Sequence, residues 1–159
     1  MIELSETDFS QNGHGDVLIS LLDAYAAELR EGDSLPEYAR SNLIGELEKR
    51  PGIHTVLAFI DGTPAGFAIS IEGFSTFACR PLLNIHDVFV LPAFRGRGIS
   101  RLLLAETEKI ARRLGCCKLT LEVLENNAPA VRLYETSGYA GYELDPKLGK
   151  AVFLQKKID

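Results

Sequence analysis

Two arginines alternate with two glycines at Arg95, Gly96, Arg97 and Gly98, and a group of this kind binds anions. Glycine admits positive φ and a close approach of backbone to ligand, so successive amide N–H groups can converge on one phosphate. The arginines add full charges beside those amides. Residues 88–91, just upstream, are all apolar and predict a buried strand, which Pro92 ends by removing a ladder donor. Downstream, Ile99, Leu102, Leu103, Ile110 and Leu114 keep the spacing of one buried helix face, and Gly115 is placed to stop it. The N-terminal dipole of that helix would support the same anion. The ordinary alternative is a strand-to-helix turn that uses Gly for geometry and Arg for solubility.

Two common nucleotide loops do not fit. The dinucleotide fingerprint needs a third glycine where Arg101 stands, and the P-loop needs a Gly-Lys-Ser/Thr sequence that is absent. What fits is Arg95-x-x-Gly98-x-Ser100 after Val90-x-Pro92. This resembles the coenzyme A pyrophosphate loop of the GNAT N-acetyltransferase superfamily. That loop usually closes on Gly or Ala, and the hydroxyl of Ser100 can instead cap the helix. A second pattern follows about thirty residues on, with Leu121-Glu122-Val123, Asn127, Ala130, Leu133-Tyr134 and Gly138-Tyr139 matching GNAT positions in order. Here 118–124 reads as a strand and Asn126-Asn127 as a turn and cap. Pro129 suits a first helical turn, and Ser137-Gly138 reads as the end of a short helix.

The resemblance implies acetyl-CoA as acyl donor and no metal. It puts the pyrophosphate on Arg95, Gly96, Arg97, Gly98, Ile99 and Ser100, and Asn127 beside the pantetheine arm or the adjoining backbone. A backbone amide within Val88, Phe89 and Val90 would receive the oxyanion. Tyr134 would aim its hydroxyl at the sulfur and protonate the leaving thiolate. A core tyrosine bonded to a nearby carbonyl is the competing role. The proton acceptor is read from the residues themselves. Asn84, His86 and Asp87 are polar groups inside an apolar strand, costly to bury unless paired or used. His86 has the best unperturbed pKa for a base, against the plainer role of a hydrogen-bonded strand histidine, with ordered water as the fallback. In a regular strand His86, Val88 and Val90 share one face and Asp87 and Phe89 the other, and a bulge would shift that count. Residues 73–77 with Arg80-Pro81 are similar to the polyamine and diamine branch, where a Glu-Asp pair commonly stands in place of His86-Asp87. The base and the amine acceptor therefore stay open together.

The elements that must position these groups follow in order. A strand at 2–4 and helices at 17–29 and 36–49 precede a hairpin of 55–60 and 65–71 around Asp61-Gly62. A strand at 83–91, the two motif helices and a closing pair at 139–144 and 151–155 complete the chain. The inward positions are Val17, Leu18, Leu21, Leu22, Tyr25 and Leu29 on the first helix, and Tyr38, Leu43, Ile44 and Leu47 on the second. The pattern predicts one α/β domain over 1–159, and the resemblance implies a GNAT-type three-layer α/β/α sandwich. Its central sheet would be mixed, mostly antiparallel and splayed at the cofactor site.

With 159 residues, 46% of them hydrophobic, one core suffices. No apolar run reaches the length of a membrane span, and Glu3, Glu6 and Asp8 stand where a secretory signal would be basic and then apolar, so the expectation is cytoplasmic. A net charge of −5 argues against nucleic acid or anionic membrane and suits a cationic amine. Cys79, Cys116 and Cys117 form no framework or metal spacing, and the adjacent pair reads as small apolar packing. Acceptor recognition is expected in the variable loops, whose acids include Glu31, Asp33, Glu37, Glu72 and Asp145. The expected function is acetyl-CoA-dependent transfer to a primary amine of a small molecule or peptide, with a homodimer left open. The alternative is a noncatalytic acyl-CoA-binding sensor or interaction module.

Overall fold

The computed structural model describes residues 1–10, 13–30, 32–141, 147 and 152–158. Two compact units emerge, Met1–Glu122 and Val123–Asp159.

The first unit runs β1 (Ile2–Glu6), α1 (His14–Leu29), α2 (Glu37–Glu48), β2 (Ile53–Ile60), β3 (Thr63–Ser75), β4 (Arg80–Val90), a single 3-10 turn (Pro92–Phe94), α3 (Ile99–Arg113) and β5 (Leu119–Leu121). Its strands lie side by side in chain order, antiparallel from β1 to β4, with β5 parallel to β4. A parallel neighbour cannot be reached by a tight turn, so α3 serves as the crossover. Helices cover both faces. On one, Leu18, Leu21, Leu22 and Leu47 of α1 and α2 pack on Leu57, Phe67, Ile69 and Phe89. On the other, Ile99, Leu103, Ile110 and Ala111 of α3 pack on Val56, Ala58, Ala65, Ala68, Leu83 and Val90. This is the expected α/β/α layering of a mixed, mostly antiparallel sheet.

The ends of the elements show why the chain breaks where it does. Asp61 and Gly62 both take positive φ, 49° and 78°, as a two-residue hairpin turn requires. α3 ends on Gly115 at φ 70°, with Gly115 N–H donating to Arg112 O and Cys116 N–H to Ala111 O, which is a Schellman closure. Arg80 donates through Nε and Nη2 to Gly115 O, at 3.2 and 2.9 Å, and ties the β3–β4 hairpin to that closure. Between α1 and α2, Asp23 accepts from Leu35 N–H at 3.0 Å and pairs with Arg40, which pins the connection.

Several expectations need correction. β3 and β4 extend beyond 65–71 and 83–91 into a long hairpin, while β5 is shorter than 118–124. α1 begins earlier, at His14. Leu102 is 39% exposed and Leu104 is buried, because the inward stripe is centred on Leu103, Thr107 and Ile110. Leu29 and Tyr38, near helix ends, are exposed as well.

In the second unit α4 (Ala128–Thr136) is the one regular element among the described residues. Of the expected closing pair, 142–146 and 148–151 lie outside the described residues. The described remainder, 139–141 and 152–155, is not strand.

Candidate active site

A bulge in β4 resolves the conflict of polar groups in an apolar strand. Ile69 pairs with Asp87 and Ser70 with Ile85, so His86 is the extra residue. Side-chain alternation slips by one there. Leu83 before the bulge and Val88 and Val90 after it face α3, whereas Phe89 faces α1. The His86 side chain is 57% exposed, and its Nδ1 lies 3.0 Å from Asp87 Oδ2. With the carboxylate holding the proton on Nδ1, Nε2 is the ring's acceptor. Asn84 is satisfied across the sheet, donating from Nδ2 to Thr120 Oγ1 at 3.0 Å.

Pairing between β4 and β5 stops at Ile85, yet β4 runs on to Val90. Leu91 N–H donates to Ala65 O at 2.9 Å. By the two-residue alternation of a strand, the amides of Asp87 and Phe89 then turn toward β3 as well. Those of Val88 and Val90 turn to the side on which β5 has ended. The Val90 carbonyl, on that side, accepts from Arg95 Nε at 2.9 Å. The predicted trio thus divides: two amides face the open edge, while Phe89 bonds inward and buries its ring between Tyr25 and Phe67.

The turn after β4 carries the residues read as an anion cradle. Gly96 and Gly98 take φ 74° and 79°, and a Cβ on either would touch nothing within 4 Å, so the demand for glycine is conformational. Gly98 is the N-cap of α3 and carries no side-chain cap bond; Ser100 lies inside the first turn rather than capping it. The first helical bond runs from Leu102 N–H to Gly98 O, leaving the amides of Ile99 and Ser100 outside the ladder. No acidic residue occupies that turn. These features fit a pyrophosphate. Ile99 itself is buried in the core, Arg97 sits over the Phe94 ring at 5.6 Å, and Arg95 turns back to pair with Glu28 of α1 at 2.6 Å.

In the second unit both motif residues have local structural causes. Asn127 Oδ1 caps α4 by accepting from Ala130 N–H at 3.3 Å, which explains the asparagine. At the other end Gly138, at φ 90°, lets Gly138 N–H reach Glu135 O and Tyr139 N–H reach Tyr134 O. A Schellman closure of this kind brings its flanking side chains together, and the Tyr134 and Tyr139 rings meet edge to face at 5.8 Å. Gly138 and Tyr139 therefore hold Tyr134. Burial pushes the Tyr134 phenol above the usual tyrosine range.

Other groups were not foreseen. Glu28 gave no local signal, being a surface acid on a helix. Gly66 could have been noticed as a glycine inside a strand; a Cβ there would lie 2.5 Å from Phe89 O. His54, 13% exposed, joins Glu72 at 2.7 Å and Glu6 at 3.7 Å, and Glu6 accepts from Arg113 at 2.7 Å. That run of polar contacts engages Glu72, one of the acids considered for the acceptor. Cys79 is exposed, while burial raises the Cys116 thiol. Among the described residues no cluster could hold a metal ion, and no helix is long and apolar enough to cross a membrane.

Known proteins match along most of the chain. Residues 18–139 fit the model of the Acetyltransferase (GNAT) family. A thialysine N-epsilon-acetyltransferase of Caenorhabditis elegans is 30% identical over 126 residues, covering 79% of this chain and 77% of that protein. A streptothricin acetyltransferase of Streptomyces lavendulae is 41% identical over 88 residues, covering 55% and 44%. Among solved structures, an aminoglycoside N-acetyltransferase in complex with CoA superposes with a TM-score of 0.76 at 20% identity, covering 99% of this chain and 96% of that one. With the model spanning the β4 bulge, the glycine turn and the Asn127–Tyr139 pattern alike, the chain belongs to the GNAT acetyltransferase family and is an N-acetyltransferase.

Proposed function

We propose that the chain moves the acetyl group of acetyl-CoA to a primary amine of a small molecule or peptide, by direct attack with both substrates bound. The observation that carries this reading is one continuous segment, in which open-edge amides at Val88 and Val90 lead into the glycine turn at the start of α3. When bound, acetyl-CoA supplies an activated acetyl group and a thiolate leaving group. The turn from Arg95 to Ser100 holds the pyrophosphate on backbone amides, with Arg97 as added charge. Asn127, its oxygen given to the α4 cap, offers Nδ2 to the pantetheine arm. Val88 and Val90 donate to the carbonyl oxygen as it gains negative charge.

Proton movement falls to two side chains. A lysine-type amine has a reference pKa of about 10.4 and arrives protonated. His86 Nε2 accepts that proton, and Asp87, 3.0 Å from Nδ1, orients the ring and balances the charge. Tyr134, a protonated phenol at neutral pH like any tyrosine, returns a proton to the thiolate. Positioning adds an effective molarity of roughly 10⁵ M or more. An amine acceptor suits the net charge of −5 and the thialysine and streptothricin named for the relatives.

The test is incubation with acetyl-CoA and a panel of diamines, amino acids, aminoglycosides and peptides, following thiol release and the mass of the acetylated product. Turnover on at least one amine is expected. CoA binding with no turnover across the panel would overturn the proposal in favour of a sensor.

A further inference from the structure

Glu28 meets none of the reacting groups, yet its place in the fold bears on the donor turn. It lies in the last turn of α1, where the carbonyl end of the helix dipole disfavours a carboxylate and no basic residue is present to offset it. The compensating charge comes from Arg95, whose Nη2 donates to both Glu28 oxygens at 2.8 and 2.6 Å. The same guanidinium donates through Nε to Val90 O at 2.9 Å and lies 5.7 Å from the Phe89 ring centre. One side chain thereby joins the end of α1, the open edge of β4 and the head of the glycine turn. Gly96 and Gly98 have no side chains with which to hold that turn, and nothing lies within 4 Å of where their Cβ atoms would be. Its upstream anchor is Arg95.

We propose that Glu28 is a positioning residue for the donor: through Arg95 it fixes the glycine turn in the conformation that presents its amides to the pyrophosphate. The inference rests on the acetyl-CoA reading above. Arg95 then serves the donor through the geometry of the turn, with its guanidinium committed to Glu28 and Val90.

Calorimetric titration of CoA into the full chain separates the two ideas. The wild type is expected to bind. Because the Glu28–Arg95 pair is about half exposed, Glu28→Gln should weaken CoA binding by roughly two- to fivefold. The KM for acetyl-CoA should rise with the Kd while kcat and the amine KM stay put, whereas partial unfolding would lower kcat. Arg95→Gln should lose at least as much, and the double variant should bind no more weakly than Arg95→Gln alone. Glu108→Gln, which breaks an exposed pair with Arg112 on α3, should leave the Kd unchanged. A Glu28→Gln variant that binds CoA as well as or better than wild type, or losses that add in the double variant, would overturn the positioning role. A wild type that fails to bind CoA would refute the donor reading itself, and this role with it.

Discussion

Gly66→Ala tests whether the spacing of β3 and β4 sets the active site. Gly66 lies opposite Val90, and a Cβ there would stand 2.5 Å from Phe89 O and 3.1 Å from Val90 Cα. Both obstacles are backbone, so no rotamer change relieves them. Ordinary contact needs roughly 3.5 Å, which means that the strands must part by about 1 Å. Overpacking of this kind costs about 1–3 kcal/mol, and for a chain of this size that lowers Tm by roughly 2–12 °C. The displaced strand carries the Val88 and Val90 amides. A misplacement of about 1 Å at a reacting centre costs up to about 100-fold in rate, so kcat/KM should fall by more than the loss of folded protein explains. Urea unfolding followed by far-UV circular dichroism, beside thiol release at saturating acetyl-CoA, gives both readouts. Gly45→Ala is the control: Gly45 lies inside α2 with nothing within 4 Å of its would-be Cβ, so alanine should stabilise by about 0.5–1 kcal/mol and leave turnover unchanged. If Gly66→Ala unfolds within about 0.5 kcal/mol of wild type and turns over normally, β3–β4 spacing does not set the site.

Tyr134→Phe should lower kcat by about 10²-fold or more with little change in CoA Kd, and full activity in this variant would remove the assigned acid role. Its effect on stability has a definite sign. The folded phenol titrates above the unfolded one, so its contribution is complete below the ordinary tyrosine pKa and is lost as pH rises through the higher folded value. Tyr134→Phe should therefore lose stability less steeply in strong base than wild type, as an alkaline titration followed by far-UV circular dichroism would record. Asp87→Asn and His86→Gln should each cut kcat at neutral pH, and full activity in both would return the base role to water. In thiol titration of the native chain Cys79 should react quickly and Cys116 slowly, in line with the exposure of one and the burial-raised thiol of the other. Equal rates for the two would contradict that ordering.

What could be read from the sequence was punctuated locally. Asp61-Gly62, Gly98, Gly115, Asn127 and Gly138 each act within four or five residues: the first makes a turn, Gly98 and Asn127 begin helices, and Gly115 and Gly138 end them. The turn into α3 follows from those stops together with the apolar runs between them, whereas the order of the strands was not read from the sequence. Features that depend on a partner far along the chain left no such mark. Glu28 and Arg95 are 67 residues apart, and nothing in either neighbourhood announces the other. Leu102 and Leu104 are equally apolar, and only the sheet beneath α3 decides which of them turns inward.

The bulge at His86 shows how the two kinds of information meet. Along β4 the core needs Leu83 on the α3 face before the bulge and Val88 and Val90 on it afterwards, an odd position followed by even ones. No regular strand provides that, since its side chains alternate strictly. One extra residue removes the conflict, and that residue is His86. The slip brings three results at once. It keeps both cores filled and leaves the imidazole out of the ladder beside Asp87. It also falls where β5 stops pairing, so the amides of Val88 and Val90 face an open edge. The polar residues that looked costly in the sequence thus mark the point at which β4 loses β5 as a neighbour while keeping β3. Deleting His86 should therefore spare the core: the shortened strand alternates regularly and keeps Leu83, Val88 and Val90 on the α3 face, so a deletion variant whose urea midpoint collapsed would contradict the bulge.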